Sequence, residues 1–161
     1  MSSSSSPADD GGGPLTSRDV DRALLAALAR DGRASYTELA ERVGLSVSAV
    51  HQRVRRLEQR GVIKGYTARI DHEAIGQPLT AFVAVRPIDP SQPDDAPDKL
   101  ASLSQIEACY SVAGEDFYLL LVRVASPADL ERLLQDIRKS ANVATRTTVV
   151  LSTPFEGRAT H

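Results

Sequence analysis

The sequence predicts an α+β protein in two parts: three short helices, a linking strand, then a β-α-β-β-α-β sandwich of ferredoxin type. Three observations predict it. The apolar period is helical from Leu15 to Gly61 and ceases at Val62. Beyond residue 78, four apolar or β-branched runs alternate with helix-start signals. Charge divides at the same place: residues 15–64 hold ten Lys/Arg against six Asp/Glu, and residues 65–161 hold nine against thirteen. A net charge of −2 therefore conceals a basic first half suited to phosphate and an acidic remainder.

Taken in order, residues 1–14 are Ser/Gly/Pro-rich with two aspartates, offer nothing to bury, and read as a flexible tail without a DNA role. Thr16 and Asp19 have capping-box spacing and open a helix whose apolar stripe is Val20, Leu24 and Leu28, flanked by Ala23 and Ala27; Asp31-Gly32 ends it. A second box, Ser35 to Glu38, opens a helix carrying Leu39, Ala40 and Val43 that stops at Gly44. Ser46 caps a third helix with Val50, Val54 and Leu57 inward, closed by Gly61. Residues 62–77 are a link beginning with an extended, partly paired strand. The second domain spans 78–153, with a C-terminal tail at 154–161. Its strands are expected at Leu79–Ile88, Ile106–Val112, Phe117–Ala125 and Val143–Ser152. Four prolines and three aspartates make 87–97 a loop leading into a helix over Pro97–Ser104. Ser126-Pro127-Ala128-Asp129 starts the last helix, with Leu130, Leu133, Leu134 and Ile137 buried.

Composition, with 42% hydrophobic and 25% charged residues, excludes wholesale disorder. The longest strongly apolar run, Phe117–Val122, is far below the roughly 20 residues of a membrane span, so a soluble cytoplasmic protein is expected. A lone Cys109 excludes an internal disulfide or cysteine zinc site and reads as a small core residue in a strand. His51, His72 and His161 are too dispersed for a metal site, and Asp94, Asp95 and Asp98 lack calcium-loop spacing; no metal or cofactor is expected.

The unit at 36–55 meets the demands of a helix-turn-helix. Ala40 is small where the helices approach, Gly44 tolerates the turn, and β-branched Val50 locks the second helix. A plain helical hairpin would share the glycine, but it would not require the basic outer face. With Val50, Val54 and Leu57 inward, Ser48, His51, Gln52 and Arg55 face outward, and Ser46 lies at the same helix start. Ser48 and Gln52 can read base edges of double-stranded DNA, and His51 can read bases or contact phosphate. Arg53, Arg55, Arg56 and Arg60 read as phosphate neutralisers; for Arg56 and Arg60, pairing with Glu58 or the helix dipole is an equal alternative.

The run DGRASYTELAERVGLSVSAVHQRVRRLEQRGVIKGYTARID closely resembles the DNA-binding half of the Lrp/AsnC, or feast/famine, regulators. YSVAGEDFYLLLV and NVATRTTVVLS look like the effector-binding half of that family, and the resemblance spans about residues 15–153. It implies a winged-helix-like domain, a homodimer through the C-terminal sandwich often assembled into an octamer, amino-acid effectors, and amino-acid metabolism genes as nucleoid targets. VAGE and the proline-rich loop further resemble members controlling alanine dehydrogenase. A sheet with helices on one face leaves the other needing cover, which a dimer provides.

The resemblance places the effector near Gly114, Glu115 and Asp116, with Thr147, Thr148 and Val149 nearby. Carboxylates suit an ammonium group, while hydroxyls and free N–H groups suit a carboxylate. Many relatives carry an acid three residues after this glycine and then an aromatic; here Phe117 and Tyr118 stand there and Asp116 precedes them. Gly-Glu-Asp reads equally as a tight turn. Two other functions compete: a nucleoid-organising protein with little sequence preference, and an enzyme or enzyme subunit. No nucleophile triad, phosphate loop or metal cluster in the sequence supports the latter.

Overall fold

A computed structural model describes residues 16–157. The expected tail at 1–14, the start at Leu15 and the end of the C-terminal tail lie outside the described residues. The chain divides into two compact units, with the boundary between Ala68 and Arg69, inside the expected link.

The first unit is built from three capped helices, α1 (Ser17–Arg30), α2 (Tyr36–Val43) and α3 (Val47–Gln59). Both capping boxes form: Thr16 with Asp19 and Ser35 with Glu38 each exchange side-chain and backbone hydrogen bonds. These satisfy N–H groups that the first helical turn leaves without partners. Gly44 ends α2 in the left-handed region, at φ 67° and ψ 33°. Val20, Leu24, Ala27, Leu39, Ala40, Val43, Val50 and Val54 form one core, with Leu28, Leu45 and Ile63 against it. Ala23, expected beside the stripe, is exposed because it lies at the stripe's edge, where no helix covers it.

Residues 62–77 contain no strand, contrary to the partly paired strand expected. A ladder needs a neighbouring edge, and the link meets none among the described residues. Its early part belongs to the helical unit: Ile63 packs on that core, and the Tyr66 hydroxyl donates to Glu58 Oε1 at 2.9 Å.

The second unit holds β1 (Leu79–Pro87), α4 (Ala96–Leu100), β2 (Ile106–Ser111), β3 (Tyr118–Val124), α5 (Pro127–Ala141) and β4 (Val143–Val149). The sheet is antiparallel in the order β2-β3-β1-β4. This is the β-α-β-β-α-β sandwich of ferredoxin type. Alternation on β1 sends Ala81, Val83 and Val85 toward the helices, where they pack with Leu120, Val122, Leu130, Leu133, Ile137 and Val143. Registry of Phe82 with Leu121, and of Ala84 with Leu119, places those four on the face opposite the helix-packed core.

Two expectations are corrected. The helix foreseen over Pro97–Ser104 is a five-residue α4; backbone bonds from Leu103 to Leu100 and from Ile106 to Leu103 turn the chain into β2. Cys109 is exposed instead of core. A bulge between Ile106 and Ala108 shifts the alternation and pairs Cys109 with Leu120, but on an edge strand the short α4 leaves uncovered.

Candidate nucleic-acid interface and ligand site

Recognition geometry begins at the α2–α3 turn. Gly44 supplies positive φ, a Cβ there would meet nothing within 4 Å, and the Leu45 N–H donates to the Ala40 carbonyl at 3.2 Å. Only backbone conformation requires glycine here. Ser46 Oγ accepts from the Ala49 N–H at 3.2 Å and lies 3.2 Å from Ser48 Oγ, so the cap also steadies the first exposed hydroxyl. Val50, Val54 and Leu57 are buried, and the opposite face carries Ser48, Gln52 and Arg55 into solvent.

The outlying residues behave less uniformly. His51 is exposed but packs edge-on against Tyr36, ring centroids 4.9 Å apart. Arg55 and Arg56 are exposed, and among the described residues no ion pair involves Arg55, Arg56 or Arg60. Glu58, the alternative partner for Arg56 and Arg60, accepts instead from Tyr66. Burial, and then this hydrogen bond, push the Tyr66 hydroxyl up to about 12. Arg53 departs most from expectation: it is half-buried and its Nη1 lies 2.9 Å from Asp21 Oδ1. Its partners on α1 lie more than thirty residues away, a contact that periodicity does not signal.

In the second unit the turn between β2 and β3 is fixed by two backbone bonds, Val112 N–H to Phe117 O at 3.1 Å and Phe117 N–H to Val85 O at 2.9 Å. Gly114 at its tip has φ 146° and open space where a Cβ would stand. Glu115 and Asp116 line a shallow concavity with Arg86, Ala144, Thr145 and Arg146. The Asp116 carboxylate is paired with Arg146. Phe117, which occupies the position of the family acid, lines an adjoining hollow beside Pro87, Ile88 and Pro90.

Thr147, Thr148 and Val149 do not line either hollow. They pair with Val83, Phe82 and Ala81, whereas Thr145 and Ala144 pair with Val85 and Arg86 at the level of the turn. At about 3.3 Å per residue the three lie roughly 7–13 Å farther along β4 than Thr145. Arg86, Thr145 and Arg146 are the residues that sequence reasoning missed. Strand parity offered a signal for Arg86, since Val83 and Val85 inward put it on the other face. Among the described residues no cluster has the makings of a metal site, and no helix is long and apolar enough to cross a membrane.

These two units match two family models in the same order. Residues 17–64 match a winged helix-turn-helix DNA-binding model and residues 80–160 match the Lrp/AsnC ligand binding domain. The chain is 61% identical over 140 residues to the HTH-type transcriptional regulator LrpA of Mycobacterium tuberculosis, covering 87% of this chain and 93% of the relative. It is 36% identical to the leucine-responsive regulatory protein of Escherichia coli, covering 82% and 83%. The crystal structure of a feast or famine regulatory protein from M. tuberculosis complexed with L-methionine superposes with a TM-score of 0.86 at 61% identity, covering 88% of this chain and 96% of that one. These relatives are named as regulators, not enzymes. With the fold, the helix-turn-helix and the ligand-binding unit in agreement, the chain belongs to the Lrp/AsnC family of helix-turn-helix transcriptional regulators.

Proposed function

We propose that this regulator binds a defined operator through α3 and that an amino acid held at the 113–116 turn modulates its assembly or DNA affinity. The carrying observation is the face of α3: Ser48, Gln52 and Arg55 stand in solvent directly opposite a fully packed Val50–Val54–Leu57 seam. Gln52 and Ser48 offer the donor and acceptor groups that distinguish base edges. Arg55 and Arg56, without ion-pair partners among the described residues, neutralise phosphates, and His51 contacts the backbone beside Tyr36. Ser46 acts by capping the helix and holding Ser48.

At the turn, Asp116 and Glu115 face the effector ammonium, while Arg86, Arg146 and Thr145 face its carboxylate. Thr147, Thr148 and Val149 enter such a site only from another copy of the chain. The L-methionine bound by the M. tuberculosis neighbour supports an amino acid as the ligand class. A homodimer formed through the open sheet face around Phe82 and Leu121, and assembled further toward an octamer, presents two recognition helices to one two-fold operator. Work on the nucleoid in the cytoplasm, on genes of amino-acid metabolism with an alanine dehydrogenase gene as a candidate target, completes the proposal. Calorimetry of the full chain against the twenty amino acids tests the sensor half. Heat for at least one, reduced in Asp116→Asn, is expected; no heat for any removes it. Operator binding against competitor DNA tests the other half, and a specificity ratio near one defeats it.

A further inference from the structure

We infer that Arg53 is a positioning residue that sets the angle of the recognition helix through Asp21, and that it is not one of the cations that meet phosphate. Its Nη1 is directed at three oxygens of α1: Asp21 Oδ1 at 2.9 Å, Ser17 Oγ at 3.1 Å and the Ser17 carbonyl at 3.4 Å. Ser17 and Asp21 are four residues apart, so both stand on one face of α1 above the flank of α3. Both members of the ion pair are partly screened from solvent, with side-chain exposures of 26% and 31%. Arg55 and Arg56, by contrast, lie exposed one turn or less away.

The need for such a pin follows from the packing. Val50, Val54 and Leu57 bury one stripe of α3, and apolar contact is non-directional, so it fixes rotation about the helix axis less firmly than a directed bond does. A roll of about 20° at a radius of about 6 Å moves side-chain tips by about 2 Å. Hydrogen bonds to base edges do not survive a displacement of that size. Arg53 lies on the flank of the stripe and ties it to the start of α1, the place where an ion pair opposes roll most directly. Specific binding therefore depends on the pair, whereas phosphate contact, which tolerates looser geometry, does not.

The test is a set of operator titrations across salt concentrations with full-length wild type, R53Q, D21N, R53K and the D21N/R53Q double variant. Positioning predicts that R53Q and D21N each lose about threefold to tenfold in operator affinity with a smaller loss on random DNA. It also predicts an unchanged salt slope, a double variant no worse than either single one, and partial rescue by R53K. A phosphate role predicts a slope shallower by about one in R53Q, with D21N binding as tightly as wild type or tighter once the arginine is released. Either that slope change, or a D21N variant indistinguishable from wild type, overturns the inference. Thermal melts in parallel confirm that each variant is folded at the titration temperature, and R53K keeps the test decisive if R53Q is not.

Discussion

Gln52 and Arg55 sit one turn apart on the same exposed face of α3, yet they ask different things of DNA. An amide can donate and accept in one plane, which matches a base edge; an exposed guanidinium without an ion-pair partner among the described residues is suited to phosphate. Gln52→Ala is expected to alter sequence preference among related operators while leaving binding to random DNA nearly unchanged. Arg55→Ala is expected to weaken binding on all sequences and reduce the salt slope by about one. Selection from a randomised operator library, followed by salt titrations, separates the two, and equal losses on every sequence from both changes would defeat the assignment. Which side chains face solvent on α3 was legible in the sequence because helical period decides it. Ser48, Gln52 and Arg55 follow from the inward valines, but Arg53's attachment to Asp21, Tyr36 beside His51, and the Asp116–Arg146 pair join residues that no period connects. Asp116 could be nominated from the turn alone; Arg146 requires the register of β4 against β1.

At the scale of elements, local chemistry wrote most of the boundaries. Each capping box joins a hydroxyl to an acid three residues on, a pattern visible in sequence and formed in the structure at Thr16–Asp19 and Ser35–Glu38. The hydrogen bonds hold these carboxyls low: Asp19 through the Thr16 side chain, Glu38 through the Ser35 backbone, and Asp129 through the Ser126 side chain at the start of α5. Because their folded values lie below the ordinary ones, the stabilisation is present above about pH 4–5 and is lost as pH falls through the folded values. Melting temperature is therefore expected to fall on acidification, less steeply in Glu38→Gln, which has no carboxyl to titrate at this cap. Tyr66 has the opposite sign: its raised value preserves the Glu58 link at pH 10 and loses it toward about 12, so its absorbance titration should lie above the ordinary tyrosine range. At Gly44 any side chain meets open space but the wrong backbone region, so Gly44→Ala is expected to cost about 1 kcal/mol. Gly44→Asn should cost less, and thermal or urea melts give both values. Elements that depend on distant partners were less legible. The link has strand-like residues but no edge to pair with among the described residues, α4 is cut short by the turn into β2, and Cys109, though in register with buried Leu120, lies exposed on an edge strand.

The whole molecule is two units with opposite charge and separate cores, joined by a link whose first residues belong to the helices. Fold class and strand order were legible because amphipathic period and turn residues agree along nearly the whole chain. The proposed assembly rests on a sheet face in need of cover. Replacing a central apolar residue there with a charge, as in Phe82→Glu, is expected to shift the protein from dimer to monomer in light scattering and to weaken operator binding far more than random-DNA binding. A dimer that persists in this variant would place the interface elsewhere. In the proposed switch an amino acid at the Gly114–Asp116 turn is read out at α3. Operator affinity of the full chain, titrated with L-methionine and then the remaining amino acids at fixed salt, tests it directly alongside Asp116→Asn. A change of about fivefold or more is expected for at least one amino acid in the wild type, abolished or moved to much higher concentration in the variant. Operator affinity indifferent to every amino acid, or an identical response in both proteins, would contradict it.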